Sequence, residues 1–200
     1  MSANTESGQL TRTYEFVGIP LPGIYELDPS HSHIGFMVRH LMVAKVRGRF
    51  GSFRGTIVIA DDPLRSSVDV EIDVASIDTR DPARDNHLRS PDFFDAEQFP
   101  SMRYRSTGVS DDGRGRWRVD GELTIRDVTR KVDLEVEFDG VAVDPWEGVR
   151  IAFTASAQLD REDFGLTWNQ PIASGGVLSA ARSTSRSRLR RSGARRADDT

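Results

Sequence analysis

Residues 68–74 read "VDVEIDV". Apolar and acidic side chains alternate at every position, so an extended strand puts Val68, Val70, Ile72 and Val74 on one face and Asp69, Glu71 and Asp73 on the other; a helix would scatter both kinds around its surface. The same period recurs in "VDLEVEF" over 132–138, where Val132, Leu134, Val136 and Phe138 share a side. Weaker versions run through "HIGFMVRHL" (33–41), "GSFRGTIVIA" (51–60), "SMRYRSTGV" (101–109), "RWRVDGELTI" (116–125) and "VRIAFTASAQLD" (149–160), each bounded by Gly, Pro, Asp or Ser. About seven half-polar strands favour antiparallel pairing, and such a sheet hides its edges by closing or by stacking on a second sheet. One region reads as helical: Asp81 caps a turn with Pro82 at its first position, running to Leu88, and Ser90 with Pro91 repeats the arrangement into "DFFDAEQF" before Pro100 stops it. Residues 1–22 read as a loosely ordered polar lead-in whose "YEFVGIPLP" (14–22) lies across a sheet edge.

A chain of 200 residues suits one ordinary domain. Without cysteine there are no disulfides, thiolate zinc sites or cysteine nucleophiles. The N-terminus has no basic start followed by an apolar run, and no segment reaches the apolar length of a membrane span; the expectation is a soluble, cytoplasmic protein without stable membrane insertion. The net charge of -4 conceals an Arg-rich tail over 179–200, at +5, and a body at -9. An acidic body argues against nucleic acid as a partner.

Candidate chemistry is sparse. "HSH" places His31 and His33 on one face of a strand, so a metal-binding protein or metal-dependent enzyme built on His31, His33, His40 and His87 is the alternative reading, with hydrogen bonding at a strand entrance as the plainer one. Ser30, Ser76 and Ser90 lie near histidines, but none sits in a strand-Gly-x-Ser-x-Gly-helix setting. "RGRFGSFRG" lacks the strand-to-helix context and closing Lys-Ser or Lys-Thr of a phosphate loop. What remains is apolar area on inward strand faces.

Three stretches, "YELDPSHSHIGFMVRHLMVAKVRGRFGSFRGTI" (25–57), "VEIDVASIDTRDPARDNHLRSPDFFDAEQFPSMRYRS" (70–106) and "GELTIRDVTRKVDLEVEF" (121–138), closely resemble the YceI-like family of polyisoprenoid-binding proteins. The histidine-rich entry, the F-G-x-F-x-G turn, the S-I-D-T-x-x-x-x-R-D-x-H-L segment, the F-F-D and Phe-Pro pairs and the L-T-I strand follow in the family's order, from about Gly23 to Leu178. The resemblance implies an all-β fold, a lipocalin-like, eight-stranded antiparallel barrel with a short helical insertion. It also implies an apolar tunnel for a long isoprenoid, a polyprenyl phosphate or a quinone tail, for carriage, storage or stress response. No catalytic reaction and no cofactor beyond that lipid are implied, and pairing into a homodimer through sheet edges is a further expectation. An eight-stranded interior is either just filled by side chains or just able to hold one slender ligand. Burying one isoprene unit contributes roughly 3–4 kcal/mol at ~0.8 per carbon, so about three approach micromolar binding after ordering costs.

On this basis Asp81–Phe99 is expected to be a lid over one barrel mouth, with Leu88, Phe93 and Phe94 facing the tunnel; Arg84, Asp85 and Arg89 fix the helix to the rim through ion pairs, the plainer reading, or Arg84 and Arg89, with His87, are offered to a head group. Phe36, Val38 and His40 share one face of the first long strand and are placed toward the ligand, together with Phe50, Phe53, Val70, Ile72, Tyr104, Leu134 and Phe138.

After "GGVL" (175–178) the chain departs from the family pattern, reading "SAARSTSRSRLRRSGARRADDT", in which no strand is legible. Codons for "RSTSRSRLR" chosen as CGG TCG ACC TCG AGA TCT CGG CTG CGG, followed by AGG, give Val-Asp-Leu-Glu-Ile-Ser-Ala-Ala-Glu when read two bases on. That is an alternating strand, so the expectation is a frameshift that left the closing strand missing or replaced and residues 179–200 as a disordered tail.

Overall fold

The computed structural model describes residues 10–40, 44–143, 148–168 and 183–191, with residues 39, 40, 44, 45 and 183–191 described by their backbone alone. Thr11–Tyr14 (β1) and Val17–Pro20 (β2) form a hairpin with a sheet of its own. Gly23–Leu27 (β3) opens the main sheet, followed by the paired Ile34–His40 (β4) and Ala44–Phe50 (β5), then Phe53–Ile59 (β6), Ser67–Asp73 (β7) and the two-residue Ile77–Asp78 (β8). The helix Pro82–Arg89 (α1) precedes Ser101–Gly113 (β9), Arg116–Ile125 (β10), Val128–Lys131 (β11), Leu134–Val143 (β12), Val149–Ala157 (β13) and Ser183–Arg191 (β14).

Among the described residues β3, β6, β7, β9, β10, β12, β13 and β14 are hydrogen-bonded in that order, and β14 returns to β3, closing an antiparallel ring. β4, β5 and β8 continue beside β14 as a flap outside that ring. This is the all-β, lipocalin-type architecture expected of the sequence, with one correction. A strand does form downstream of Ser179: β14 pairs with β13 from Arg150↔Arg190 to Ala157↔Ser183, and with β3 through Leu189↔Leu27 and Arg191↔Tyr25. A ladder is made by backbone N–H and C=O groups, which serine and arginine carry as well as valine does; only the apolar signal is missing from the sequence. Val177 and Leu178, at the start of the departure, lie outside the described residues.

The period-two reading holds in β10, one of its weaker cases. Trp117, Val119, Leu123 and Ile125 of β10 are buried, while Arg116, Arg118 and Glu122 are exposed. The acids on the outer faces meet arginines of adjacent strands: Arg103 and Arg105 on Asp69 at 2.7 and 3.2 Å, Arg54 on Glu71 at 2.8 Å, Arg118 on Asp133 at 2.6 Å. Exposed pairs of this kind contribute about 0–1 kcal/mol each, so register is set mainly by the buried face. Gly121 is required: a Cβ there would lie 2.3 Å from the Tyr104 hydroxyl, whose ring crosses the strand at that point.

The charged insertion is a clasp. Asp81 caps α1, accepting from the Ala83 and Arg84 amides. Buried Asp85 accepts from the Thr79 amide at 2.8 Å and the Thr79 hydroxyl at 2.6 Å, and that hydroxyl in turn accepts from Arg84 Nε at 2.7 Å. Arg89 donates to the Ala75 and Ile77 carbonyls at 2.8 and 2.7 Å. The expected second helical stretch after Ser90 is instead a run of turns, with Phe93 and Asp95 amides bonded to the Ser90 carbonyl.

Removing the Asp85 carboxylate strands a buried Thr79 amide and hydroxyl, so Asp85→Ala is expected to lower stability by about 2 kcal/mol. Urea unfolding checks this: an unchanged midpoint with unchanged slope would refute the clasp.

Candidate functional site

The ring of strands surrounds an apolar pocket, partly open to solvent, with a cavity volume of about 230 Å³. Its long walls come from β7 (Val68, Val70, Ile72), β10 (Trp117, Val119, Leu123), β12 (Leu134, Val136, Phe138) and β13 (Phe153, Ala155, Ala157). Leu27, Ile34, Ile57 and Ile59 complete the opposite side. Among the described residues none of those lining it carries a charge. Tyr104, whose hydroxyl donates to the Val119 carbonyl at 2.9 Å and lies 3.2 Å from that of Val132, presents its ring there with its polar end already satisfied. Burial pushes its phenol pKa up, so it stays protonated. The wall widens where the inward positions of β13 are alanine.

The two ends of the β9–β10 ribbon differ. Toward Ser101 and Ile125 the interior is solid: Phe50, Phe53, Val74, Ile77, Met102, Phe164 and Leu166 are buried there in one cluster with Ile125. Toward Gly113 and Arg116 lies the β1–β2 hairpin, whose Tyr14 ring meets that of Trp117 at 5.6 Å and whose Ile19 and Pro20 line the cavity. Arg12 fastens it, donating to the Ala60 and Asp61 carbonyls. The lead-in read as loosely ordered is therefore, over Thr11–Pro20, a formed hairpin roofing the cavity. The sequence hinted at this in "YEFVGIPLP", but β1 and β2 are only four residues each and their partner surface is remote in the chain.

Of the residues expected to face a ligand, Val70, Ile72, Tyr104, Leu134 and Phe138 line the cavity. The others are placed elsewhere. Phe36 packs on Phe50 in the flap at 5.8 Å, Val38 pairs across it with Val46, and Phe53 joins the solid end. His40 lies in β4, and its side chain is outside the described residues. Leu88 and Phe94 pack against the core cluster, Phe94 edge-on to Phe50 at 6.1 Å, and Phe93 packs on both His87 and Trp168. The lid reading of Asp81–Phe99 is thus corrected: these rings help close the packed end and none touches the cavity. Alternation says which residues share a face; it is silent on their height along a barrel. The head-group candidates are likewise committed, Arg84 to Thr79, Arg89 to Ala75 and Ile77, and His87 to Asp92 at 2.9 Å. Residues that the reading omitted, such as Ile19, Trp117 and Ala155, carry weak or no apolar periodicity.

His31 and His87 stand in separate surroundings. His31 bonds Asp28 at 2.8 Å, which also accepts from Arg150, while His87 packs on Trp168 at 4.5 Å. Among the described residues no three His, Asp or Glu side chains stand where they would share an ion.

Comparison with known proteins agrees with this geometry. A family model described as YceI-like domain matches residues 25–182. A UPF0312 protein of Vibrio cholerae serotype O1 is 38% identical over 146 residues, 72% of this chain and 76% of that protein. One from Photorhabdus laumondii is 38% identical over 143 residues, covering 70% and 74%. BcnA of Burkholderia cenocepacia superposes with a TM-score of 0.71 at 20% identity, over 83% of this chain and 99% of its own. A polyisoprenoid binding domain from Saccharophagus degradans does so with 0.62 at 15% identity, over 86% and 100%. With the ring of strands, the enclosed apolar space and a match running from the first barrel strand to the approach of the last, the chain belongs to the YceI-like family.

Proposed function

We propose that this protein binds the hydrocarbon chain of an isoprenoid lipid in the barrel interior, for carriage, storage or a stress response. The observation that carries the reading is the uncharged cavity of about 230 Å³ inside a closed barrel. Apolar walls left facing water forgo the roughly 25 cal/mol per Å² that burial returns, and their lining atoms lack packing partners on the hollow side. A filled cavity recovers those contacts. The polyisoprenoid binding domain from Saccharophagus degradans, which shares the fold, points to the class of chain that fills it.

Size sets the amount taken up. A cavity of ~150 Å³ holds benzene, so this one holds about two isoprene units. With no charged group among the described lining residues and with Arg84, Arg89 and His87 engaged by the protein, the head group stays outside and recognition rests on the hydrocarbon. Polyprenyl phosphates and quinones both meet that requirement. No catalytic step forms part of this reading.

Two variants test it. Ala155→Phe fills the cavity from β13 and is expected to weaken binding of a polyprenol by about tenfold or more, while the protein still unfolds cooperatively. Phe93→Ala combined with Phe94→Ala, at the packed end, is expected to lower the melting temperature and leave affinity within about twofold. Equal polyprenol affinity for wild type and Ala155→Phe, measured by fluorescence titration in detergent, would sink the assignment.

A further inference from the structure

The β1–β2 hairpin stands apart from the rest of the molecule in three ways. It precedes the part of the chain that the family model matches, which begins at residue 25. Among the described residues it also shares no backbone ladder with the barrel, β1 and β2 pairing with each other. An isolated two-stranded hairpin is marginally stable in water, so its place depends on side chains: the Arg12 guanidinium on the Ala60 and Asp61 carbonyls, the Tyr14 ring on Trp117, and Ile19, which is 2% exposed.

The third feature is its tip. The two-residue turn is Glu15-Phe16, with φ of 42° and 70°. Turns of this hand favour Asn-Gly because both central residues need positive φ, and a bulky aromatic there carries a conformational cost. Phe16 is moreover fully exposed, at 101%. Packing within the chain accounts for neither the strain nor the exposure.

The cavity beneath this hairpin takes about two isoprene units as it stands, so a longer chain runs out past its rim. Such chains reside in bilayers, and passing one through water costs roughly 0.8 kcal/mol per carbon exposed. A mouth that opens directly onto the bilayer avoids that cost. We propose that the hairpin is the door of the cavity and that it opens when Phe16 enters a lipid surface, so that the isoprenoid passes from the bilayer into the barrel beside Ile19 and Pro20. This rests on the isoprenoid-binding reading above. Arg12 and Tyr14 are the latch, Phe16 is the contact with the surface, and neither Arg12 nor Phe16 lines the cavity.

The test uses the full chain and a polyprenol offered in two forms, dispersed in detergent or embedded in neutral phosphatidylcholine vesicles, which avoid attraction to the Arg-rich tail. Phe16→Asp is expected to bind from detergent as wild type does and to take up polyprenol from vesicles about tenfold more slowly. Arg12→Ala is expected to release bound polyprenol several-fold faster than wild type. Uptake from vesicles by Phe16→Asp at the wild-type rate overturns the bilayer contact, and release by Arg12→Ala at the wild-type rate overturns the door. If wild type binds no polyprenol even from detergent, the function itself fails, and that result is read before any hairpin variant is compared.

Discussion

The interior of this protein depends on the pairing that seats Ser183–Arg191 between Val149–Ala157 and Gly23–Leu27. Without it, β3 and β13 are sheet edges and the apolar faces of β7, β10 and β12 open to solvent; with it, those faces look at one another across a distance of about one side chain from each wall. Whether such a barrel is solid or hollow then depends on the sizes of the inward residues. Toward Ser101 they are Phe50, Phe53, Met102 and Phe164, and the space is filled. Along β13 they are Ala155 and Ala157, and a cavity remains.

The polar parts follow from that division. The 76–100 segment, dense in charge, leaves no buried charge unpaired in its clasp: Asp85 is answered by Thr79, Thr79 by Arg84, and Arg89 caps carbonyls of the preceding chain. Groups so engaged hold the packed end together and have little left to offer a ligand. At the other end the roof is a separate hairpin held by few contacts, the kind of element that opens at low cost because it is not part of the cooperative sheet.

Several elements were legible from residue order alone. The alternation in 68–74 and 132–138, the cap at Asp81 with Pro82 behind it, and the antiparallel all-β class all appear in the structure within a few residues of their expected bounds. Misplaced elements share a cause. Leu88, Phe93 and Phe94 are apolar and close to a helix, which marks them as buried but not against what; Phe36 and Phe50 alternate correctly yet belong to a flap outside the ring. The β14 strand went unread because its Ser-Arg pattern lacks the hydrophobic signal that strand recognition uses, and the hairpin because four-residue strands give periodicity too little length.

By itself, then, the order of residues determined the local conformations, the two-faced character of the strands and the family, since each is carried by near neighbours in the chain or by motifs in sequence. Only the tertiary structure decided which apolar residues face a hollow and which a packed plug, that the N-terminal hairpin rather than the helical insertion roofs the hollow, and that an arginine-rich segment closes the ring. These are properties of strands brought together from distant positions, and the physical quantity that settles them, the volume left between opposing side chains, exists only after the ring has closed.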